Sequence, residues 1–484
     1  MGITTIENYI DGEWVASASG QALDVINPAT GEAIARVPLS TAAEVDAAVQ
    51  SAQEAFEEWR ETPPYTRARA MFRLKGAIEE NFEELSRIVV EENGKTIDEA
   101  RGEVRRAIEN VEVAAGIPSL MMGYNLEDVA TNIDEEAVRQ PLGVFCAIAP
   151  FNFPAMVPFW FLPYAVATGN TFVLKPSEQA PLTQTRLFEL IDEIDLPPGV
   201  VNLVHGGKDT AQAMLEHPGI RGVSFVGSTP VAKHVYTTAT AHGKRAQCQG
   251  GAKNFLVVMP DAVLDKTAGA ITTSAFGNAG QRCLAGSVVL AVGDIYEPLK
   301  ERLVEAARGL KVGYGLDPAT QMGPVISPAA LERITNYIEQ GVQDGAKLLL
   351  DGRGVSVPEY PGGCFIGPTI LDEAAPEMSI VQEEIFGPVL SIIQVDDFEE
   401  ALAIMNNSRY GNAGSIFTSS GKWAREFKYR AQIGNVGINI GIAAPIASFP
   451  FGGMKDSFFG DLHGQGPDVI NFYTERKIVI TRWF

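Results

Sequence analysis

Cys283, in the run Gly280-Gln-Arg-Cys283, is the residue of this 484-residue chain whose setting best suits covalent chemistry. The thiolate is the reactive form of cysteine, and a cationic neighbour with accessible backbone N–H groups favours it. Arg282 supplies the charge, and Gly277 and Gly280 allow close backbone approach. Taken alone, the same setting suits a buried structural cysteine better than a reactive one. Asn152 is held between prolines in Pro150-Phe-Asn-Phe-Pro154, at the end of an apolar run. A side-chain amide there is a good oxyanion donor, or a partner for loop backbone.

Three further motifs sit where strands end or helices begin. Lys175-Pro-Ser-Glu178 closes one apolar run, and crevices at the carboxyl ends of parallel strands bind nucleotides. Phe225-Val-Gly-Ser228 leads from a run through glycine to a helix start, where an anion is favoured. The last is Glu383-Glu-Ile-Phe-Gly-Pro388. Each is weak alone. GxGxxG, Walker A, HExxH and GxSxG patterns are missing from the sequence. The five histidines show no metal-ligand spacing, so no metal is expected.

These motifs need elements to position them. Short apolar runs at 144–149, 171–174, 201–204, 223–226 and 255–258 are bounded by Gly, Pro or Asn and alternate with helical patterns. That is the signature of a parallel sheet covered on both faces. A second block follows over 263–430, with strands near 287–292 and 388–394, and the domain boundary falls near 251. The N-terminal third predicts three helices. The first follows the capping box Thr41-Ala-Ala-Glu44; the second buries Leu74, Ile78, Phe82, Leu85 and Val89 and stops at Asn93-Gly94; the third buries Val104, Ile108, Val111 and Ala115. The end of the chain, Lys477 to Phe484, reads as a strand.

Composition narrows the partners. Hydrophobic residues are 46% and charged residues 20%, as in a globular protein. The net charge of −22 argues against nucleic acid and against an anionic membrane surface. Four widely spaced cysteines fit a reducing, cytoplasmic setting. The N-terminus carries acids early and lacks an apolar core, unlike a signal peptide. Residues 140–174 hold no charge but are too rich in proline for a membrane span. The 15 lysines against 23 arginines, with this acidity, suggest adaptation to high salt, as in a halophilic protein.

Together APFNFP, LKPSE, FVGS, GQRC and EEIFGP, in this order and spacing, resemble the aldehyde dehydrogenase superfamily over essentially the whole chain. The resemblance implies an α/β fold with two doubly wound parallel-sheet domains and a small oligomerisation sheet. It implies an NAD-binding domain over 1–123 and 142–250 and a catalytic domain over 251–430. Residues 431–464 would return to the NAD-binding domain, and strands in 124–141 and 465–484 would build a homodimer or homotetramer. By the same resemblance Cys283 is the nucleophile and Asn152 the oxyanion donor. Lys175 and Glu178 hold the adenosine ribose, with Gln179 beside them, and Ser228 meets the pyrophosphate. Ala149, Phe151, Gly207 and Gly250 line the cofactor cleft, and Glu384 and Phe386 contact the nicotinamide ribose and ring. Glu178 favours NAD over NADP, because a carboxylate accepts from a ribose hydroxyl and repels a 2′-phosphate.

Most members carry a Glu that activates the deacylating water, in a Glu-Leu-Gly-Gly pattern. Here the segment is Cys248-Gln-Gly-Gly-Ala-Lys-Asn254, and Cys248 is read in the place of that Glu. GAKN, Pro118-Ser-Leu-Met-Met-Gly123 and the SFFGDLHGQG tail are similar to the CoA-acylating methylmalonate-semialdehyde dehydrogenases. Ala232 and Phe255 depart from the expected patterns. The activity that the resemblance implies is NAD-dependent oxidation of malonate or methylmalonate semialdehyde through a Cys thioester, with decarboxylation and transfer to coenzyme A giving acetyl-CoA or propionyl-CoA. Arg282, beside the nucleophile, and Arg106, on the third helix, are expected to hold the substrate carboxylate. The rival readings are a hydrolytic semialdehyde dehydrogenase, a non-catalytic protein on the same scaffold and a thiol redox sensor.

Overall fold

The apolar runs do become strands, because each is buried on both faces and cannot meet water. In the computed structural model, which describes residues 3–484, they fill two sheets. The first two N-terminal residues read above lie outside the described residues. The first sheet has eight strands. Its core order is Val201–Leu203, Thr171–Lys175, Val144–Ile148, Ile220–Val226, Arg245–Gln249, all parallel. Antiparallel strands Asn8–Ile10 with Glu13–Val15 close one edge, and Phe458–Phe459 closes the other. The chain leaves Val144–Ile148 outward on one side and then on the other. The carboxyl end of that strand is therefore the topological switch point, where open α/β sheets bind ligands.

The second sheet has seven strands in the order Lys347–Leu350, Thr369–Asp372, Val389–Val395, Gly286–Val292, Asn254–Val258, Ala413–Phe417, Asn435–Ile438. All its pairs are parallel except the first. Both sheets carry helices on their faces, so the α/β class with parallel-sheet domains is as the sequence predicts. A third sheet pairs Tyr124–Ala130, Ile133–Pro141 and Thr474–Arg482 antiparallel.

The N-terminal helices differ in one respect from the sequence reading. Thr41 and Glu44 do form a capping box on the helix Ala42–Trp59. The second expected helix is two helices, Pro64–Glu80 and Phe82–Asn93, broken at Asn81, where ψ is +18°. The apolar stripe runs through the break, so spacing alone did not show it. Asn81 marks it chemically: its side-chain amide donates to the Ala77 carbonyl at the end of the first helix. The charge-free stretch 140–174 is two buried strands joined by the short helices Met156–Phe159 and Leu162–Thr168. No helix among the described residues is long and apolar enough to cross a membrane.

The two large sheets meet end to end. Loops from the carboxyl ends of the first face loops from the amino ends of the second, and the segment Gly250–Lys253 crosses between them. Its backbone is held at each step: Gly250 N donates to Ser457 O (2.8 Å), Gly251 N to Thr229 Oγ1 (2.8 Å) and Ala252 N to Glu384 Oε1 (2.9 Å).

Candidate active site

Cys283 lies in the loop before Gly286–Val292, at an amino end of the second sheet. The loop reaches it through three consecutive left-handed residues, Asn278 (φ 51°), Ala279 (φ 49°) and Gly280 (φ 70°). At Gly280 a Cβ would stand 2.1 Å from Gly387 O, so only glycine lets the nucleophile loop pack on the Glu384–Gly387 loop. The Cys283 carbonyl accepts from Asn254 Nδ2 and Asn412 Nδ2, each at 2.9 Å.

Asn152 follows the switch-point strand and is buried. Its Nδ2 donates one hydrogen to Gln281 O (3.1 Å), two residues before the nucleophile, and the amide keeps a second N–H. Its loop is pinned from below. Asn93 Nδ2 donates to Phe151 O (2.9 Å), and Lys95 Nζ donates to Asn152 O (2.8 Å). Lys95 is itself paired with Glu103 at 2.5 Å, and both side chains are buried. Glu103 also accepts from Ala155 N (2.7 Å) and Met156 N (3.2 Å). A buried ion pair is tolerable only with its other valences met in this way.

Cys283 opens onto a cavity of about 280 Å³. Its wall is mostly apolar, with Phe153, Met156, Trp160 and Phe451 prominent, and it carries both Arg106 and Arg282. Arg282 Nη2 pairs with Glu99 Oε1 (2.7 Å), while its buried Nε has no hydrogen-bond partner among the described residues. Arg106 reaches Glu109 across one helical turn (3.3 Å).

The sequence reading expected Arg282 and the loop N–H groups to favour the thiolate. They do act in that direction, as do the Cys283 and Leu284 N–H groups. Burial outweighs them, with the Glu384 charge adding to it, and the thiol is pushed up to about 12. Glu384 is raised to about 7 by burial, against the Ala252 N–H and the Lys253 charge. Lys253 is lowered to about 7, again by burial, and its Nζ has no hydrogen-bond partner among the described residues.

Most of the residues expected at a cofactor lie at the carboxyl ends of the first sheet. A cleft of about 510 Å³ at the strand carboxyl ends is lined by Lys175, Glu178 and Gly207, with Ile148, Phe225 and His234. Lys175 Nζ donates to Pro176 O (2.9 Å) and lies 3.4 Å from Glu178. Ser228 is the exposed cap residue of the helix Thr229–Ala241, with no side-chain cap bond. Ala149 N is held by Lys175 O (2.9 Å), and the rings of Phe151 and Phe386 meet edge to face at 5.9 Å. Gly250 starts the crossing segment, and at Gly251 a Cβ would stand 2.4 Å from Glu384 Oε2. Gln179 is exposed and does not line the cleft. No group of three or more His, Cys, Asp or Glu that could hold a metal occurs among the described residues.

One expectation needs correction. Cys248 does not face the site. It is wholly buried in the core between the first sheet and its covering helices, with Cys146, Phe225 and Val235. Successive strand residues point to opposite faces, so Gln249 takes the other side. There its amide bridges Phe225 O (2.9 Å) and Gly464 N (3.1 Å). Gly464 packs on Phe161, in the cluster against which Cys283 also packs. Gln249, a neutral amide tethered in this way, takes the face opposite to the Cys248 thiol.

Sequence reasoning missed Lys95, Glu99, Glu103, Gln249, Lys253 and Asn412 as parts of the site. Lys253 and Asn254 stood inside the GAKN string without a role. Asn412 carried no signal, since an Asn at a strand start is unremarkable.

The chain is similar to known proteins over almost its whole length. The family model described as "Aldehyde dehydrogenase family" matches residues 14–479. A chain of Geobacillus kaustophilus named "Malonate-semialdehyde dehydrogenase 3" is 52% identical over 479 residues, 99% of each chain. One of Halalkalibacterium halodurans, named "Malonate-semialdehyde dehydrogenase", is 50% identical, covering 99% of this chain and 98% of the relative. Among solved structures, a methylmalonate-semialdehyde dehydrogenase from Oceanimonas doudoroffii is similar with TM-score 0.98 and 45% identity, over 99% of both chains. The NAD+ complex of an aldehyde dehydrogenase from Bacillus cereus is similar with TM-score 0.94 and 34% identity, over 99% of this chain and 96% of that one.

Proposed function

The chain belongs to the aldehyde dehydrogenase family, and on that premise we propose that it oxidises malonate semialdehyde or its methyl homologue with NAD and passes the decarboxylated acyl group to coenzyme A. The observation that carries this reading is the cavity at Cys283. It is small and mostly apolar, yet Arg106 and Arg282 both line it. Planar guanidinium groups on such a wall suit a substrate carboxylate. The names of the similar proteins support the same substrate class.

In this reading residues 1–123 and 142–250 bind NAD and 251–430 carry the nucleophile. Residues 431–464 return to the NAD-binding domain. Strands in 124–141 and 465–484 join subunits into a dimer or tetramer; Tyr124, Leu126, Ile478 and Ile480 are exposed there. The strand-end cleft suits a dinucleotide. Lys175 and Glu178 would hold the adenosine ribose and Ser228 the pyrophosphate. Ala149, Phe151 and Gly250 would shape the path to Glu384 and Phe386 at the nicotinamide end. NAD, when bound, supplies the hydride acceptor.

The rest falls to the protein's own groups. The Cys283 sulfur, once ionised, adds to the aldehyde carbon. The second Asn152 N–H and a backbone N–H receive the oxyanion; one such donor is typically worth roughly 100–1,000-fold in rate. Loss of hydride from that carbon leaves an acyl thioester on Cys283. The carboxylate β to the thioester carbonyl departs as CO2, and a proton takes its place. The CoA thiolate then attacks the carbonyl, the Cys283–acyl bond breaks, and acetyl-CoA or propionyl-CoA leaves. Hydrolysis is disfavoured in this reading, since neither Cys248 nor Gln249 supplies a carboxylate base to water.

The test is an assay of a semialdehyde panel with NAD, with and without CoA, identifying the product. The expected result is a burst of about one NADH per active site without CoA, as for an accumulating acyl-enzyme, and steady turnover to acyl-CoA with it. Steady turnover to a carboxylic acid without CoA would establish the hydrolytic alternative instead.

A further inference from the structure

The Cys283 carbonyl is gripped by two side chains at once. Asn254 opens the strand Asn254–Val258, and Asn412 precedes the neighbouring strand Ala413–Phe417. Both are buried, and each places Nδ2 2.9 Å from Cys283 O. Each amide is fixed in turn. Asn254 Oδ1 accepts from Ala413 N (3.0 Å), and its Nδ2 also reaches Ala285 O (2.9 Å). Asn412 Oδ1 accepts from Asn435 Nδ2 (3.4 Å), which also donates to the Asn412 backbone carbonyl (3.0 Å).

One donor would satisfy a buried carbonyl. Two, from different strands, fix the direction in which it points. The peptide unit is planar and trans, so fixing Cys283 O also fixes the Leu284 N–H, which points the opposite way. That N–H and the Cys283 N–H both act to favour the Cys283 thiolate. We propose that Asn254 and Asn412 are positioning residues that clamp the Cys283 carbonyl and so aim the Leu284 N–H at the reacting sulfur and the oxyanion formed beside it. The role in oxyanion binding rests on the function proposed above; the role at the sulfur does not. The charged groups around the sulfur are Arg282 and Glu384, with Glu99, Glu103 and Arg106 lining the same cavity.

The experiment uses the full-length protein and the variants Asn412→Leu, Asn254→Leu and the double variant. Leucine keeps the approximate volume and removes the donor. The first readout is the pH dependence of Cys283 alkylation by iodoacetamide, with the site confirmed by mass spectrometry. It needs no aldehyde and no CoA, so it still reads the clamp if the substrate is misassigned. The second is the NADH burst rate, with NAD affinity and Tm as controls. Either single variant leaves one donor and should raise the alkylation midpoint by about half a pH unit. The double variant should raise it by at least about one unit, equivalent to tenfold in thiolate population. It should also slow the burst by about 100-fold, the scale of one lost oxyanion donor, with NAD affinity unchanged. Folded variants that bind NAD and alkylate with the wild-type midpoint would overturn the proposal. Asn254 also supports Ala285 and Ala413. If its variants fail to fold, Asn412→Leu decides alone, and an unchanged midpoint there counts against the clamp. A shifted midpoint with an unchanged burst would confine the role to the sulfur and remove the oxyanion half.

Discussion

Cys248 and Gln249 are adjacent in the chain and lie on opposite faces of the strand Arg245–Gln249. The thiol of Cys248 is sealed in the core with Cys146 and Phe225, while the Gln249 amide bridges Phe225 O and Gly464 N. Burial holds the Cys248 thiol protonated far above its usual range. Under the proposed function, Gln249 and not Cys248 is the position at which a water-activating base would be added.

Gln249→Glu should therefore introduce hydrolysis. A positioned base is worth roughly 100–10,000-fold to an attacking water, so NADH turnover without CoA should rise by at least about tenfold, with free acid as product. Cys248→Glu should not. It places a carboxylate in an apolar core and should lower Tm without releasing acid. Product analysis with and without CoA on both variants checks this, and acid release by Cys248→Glu alone would reverse the assignment.

Arg106→Leu should raise KM for a carboxylated semialdehyde by about 10–100-fold, the range for losing a charged hydrogen bond. KM for propanal should change by less than about threefold, since propanal carries no carboxylate and the cavity wall is mostly apolar. Equal effects on both substrates would mean that Arg106 only supports its helix.

Lys253 offers a stability test with a defined sign. Its folded pKa is lowered to about 7 from 10.5 by burial. The unfolded chain therefore binds more protons between those values, and stability rises with pH across that window. Below about pH 7 the cost of the buried cation is fully present. Lys253→Met should raise Tm at pH 6.5, and the gain should shrink at pH 9.5. Thermal melts of both proteins at the two pH values decide it; a gain that grows with pH contradicts the burial account.

Salt should stabilise the protein. With a net charge of −22 the folded particle repels itself. The screening length falls from about 10 Å at 0.1 M to about 3 Å at 1 M, so Tm should climb between 0.1 and 2 M KCl. A flat or falling Tm would remove the high-salt reading.

The sequence by itself determined the parallel-sheet architecture, because short apolar runs between helical patterns have nowhere to go but a sheet covered on both faces. It also pointed to Cys283, Asn152, Lys175 and Glu178, weakly through each motif alone and more firmly through the resemblance that the motifs carry together. Tertiary structure alone decided the rest. Asn254 and Asn412 lie 158 positions apart and meet on one carbonyl only because their strands are neighbours in the second sheet. Asn81 broke a helix that its apolar stripe concealed. The face that Cys248 presents depended on strand register, and a one-residue shift exchanges the two faces. Spacing along a chain records which residues share an element. Which elements converge, and which side of a strand looks into the site, is set by packing between segments far apart in sequence.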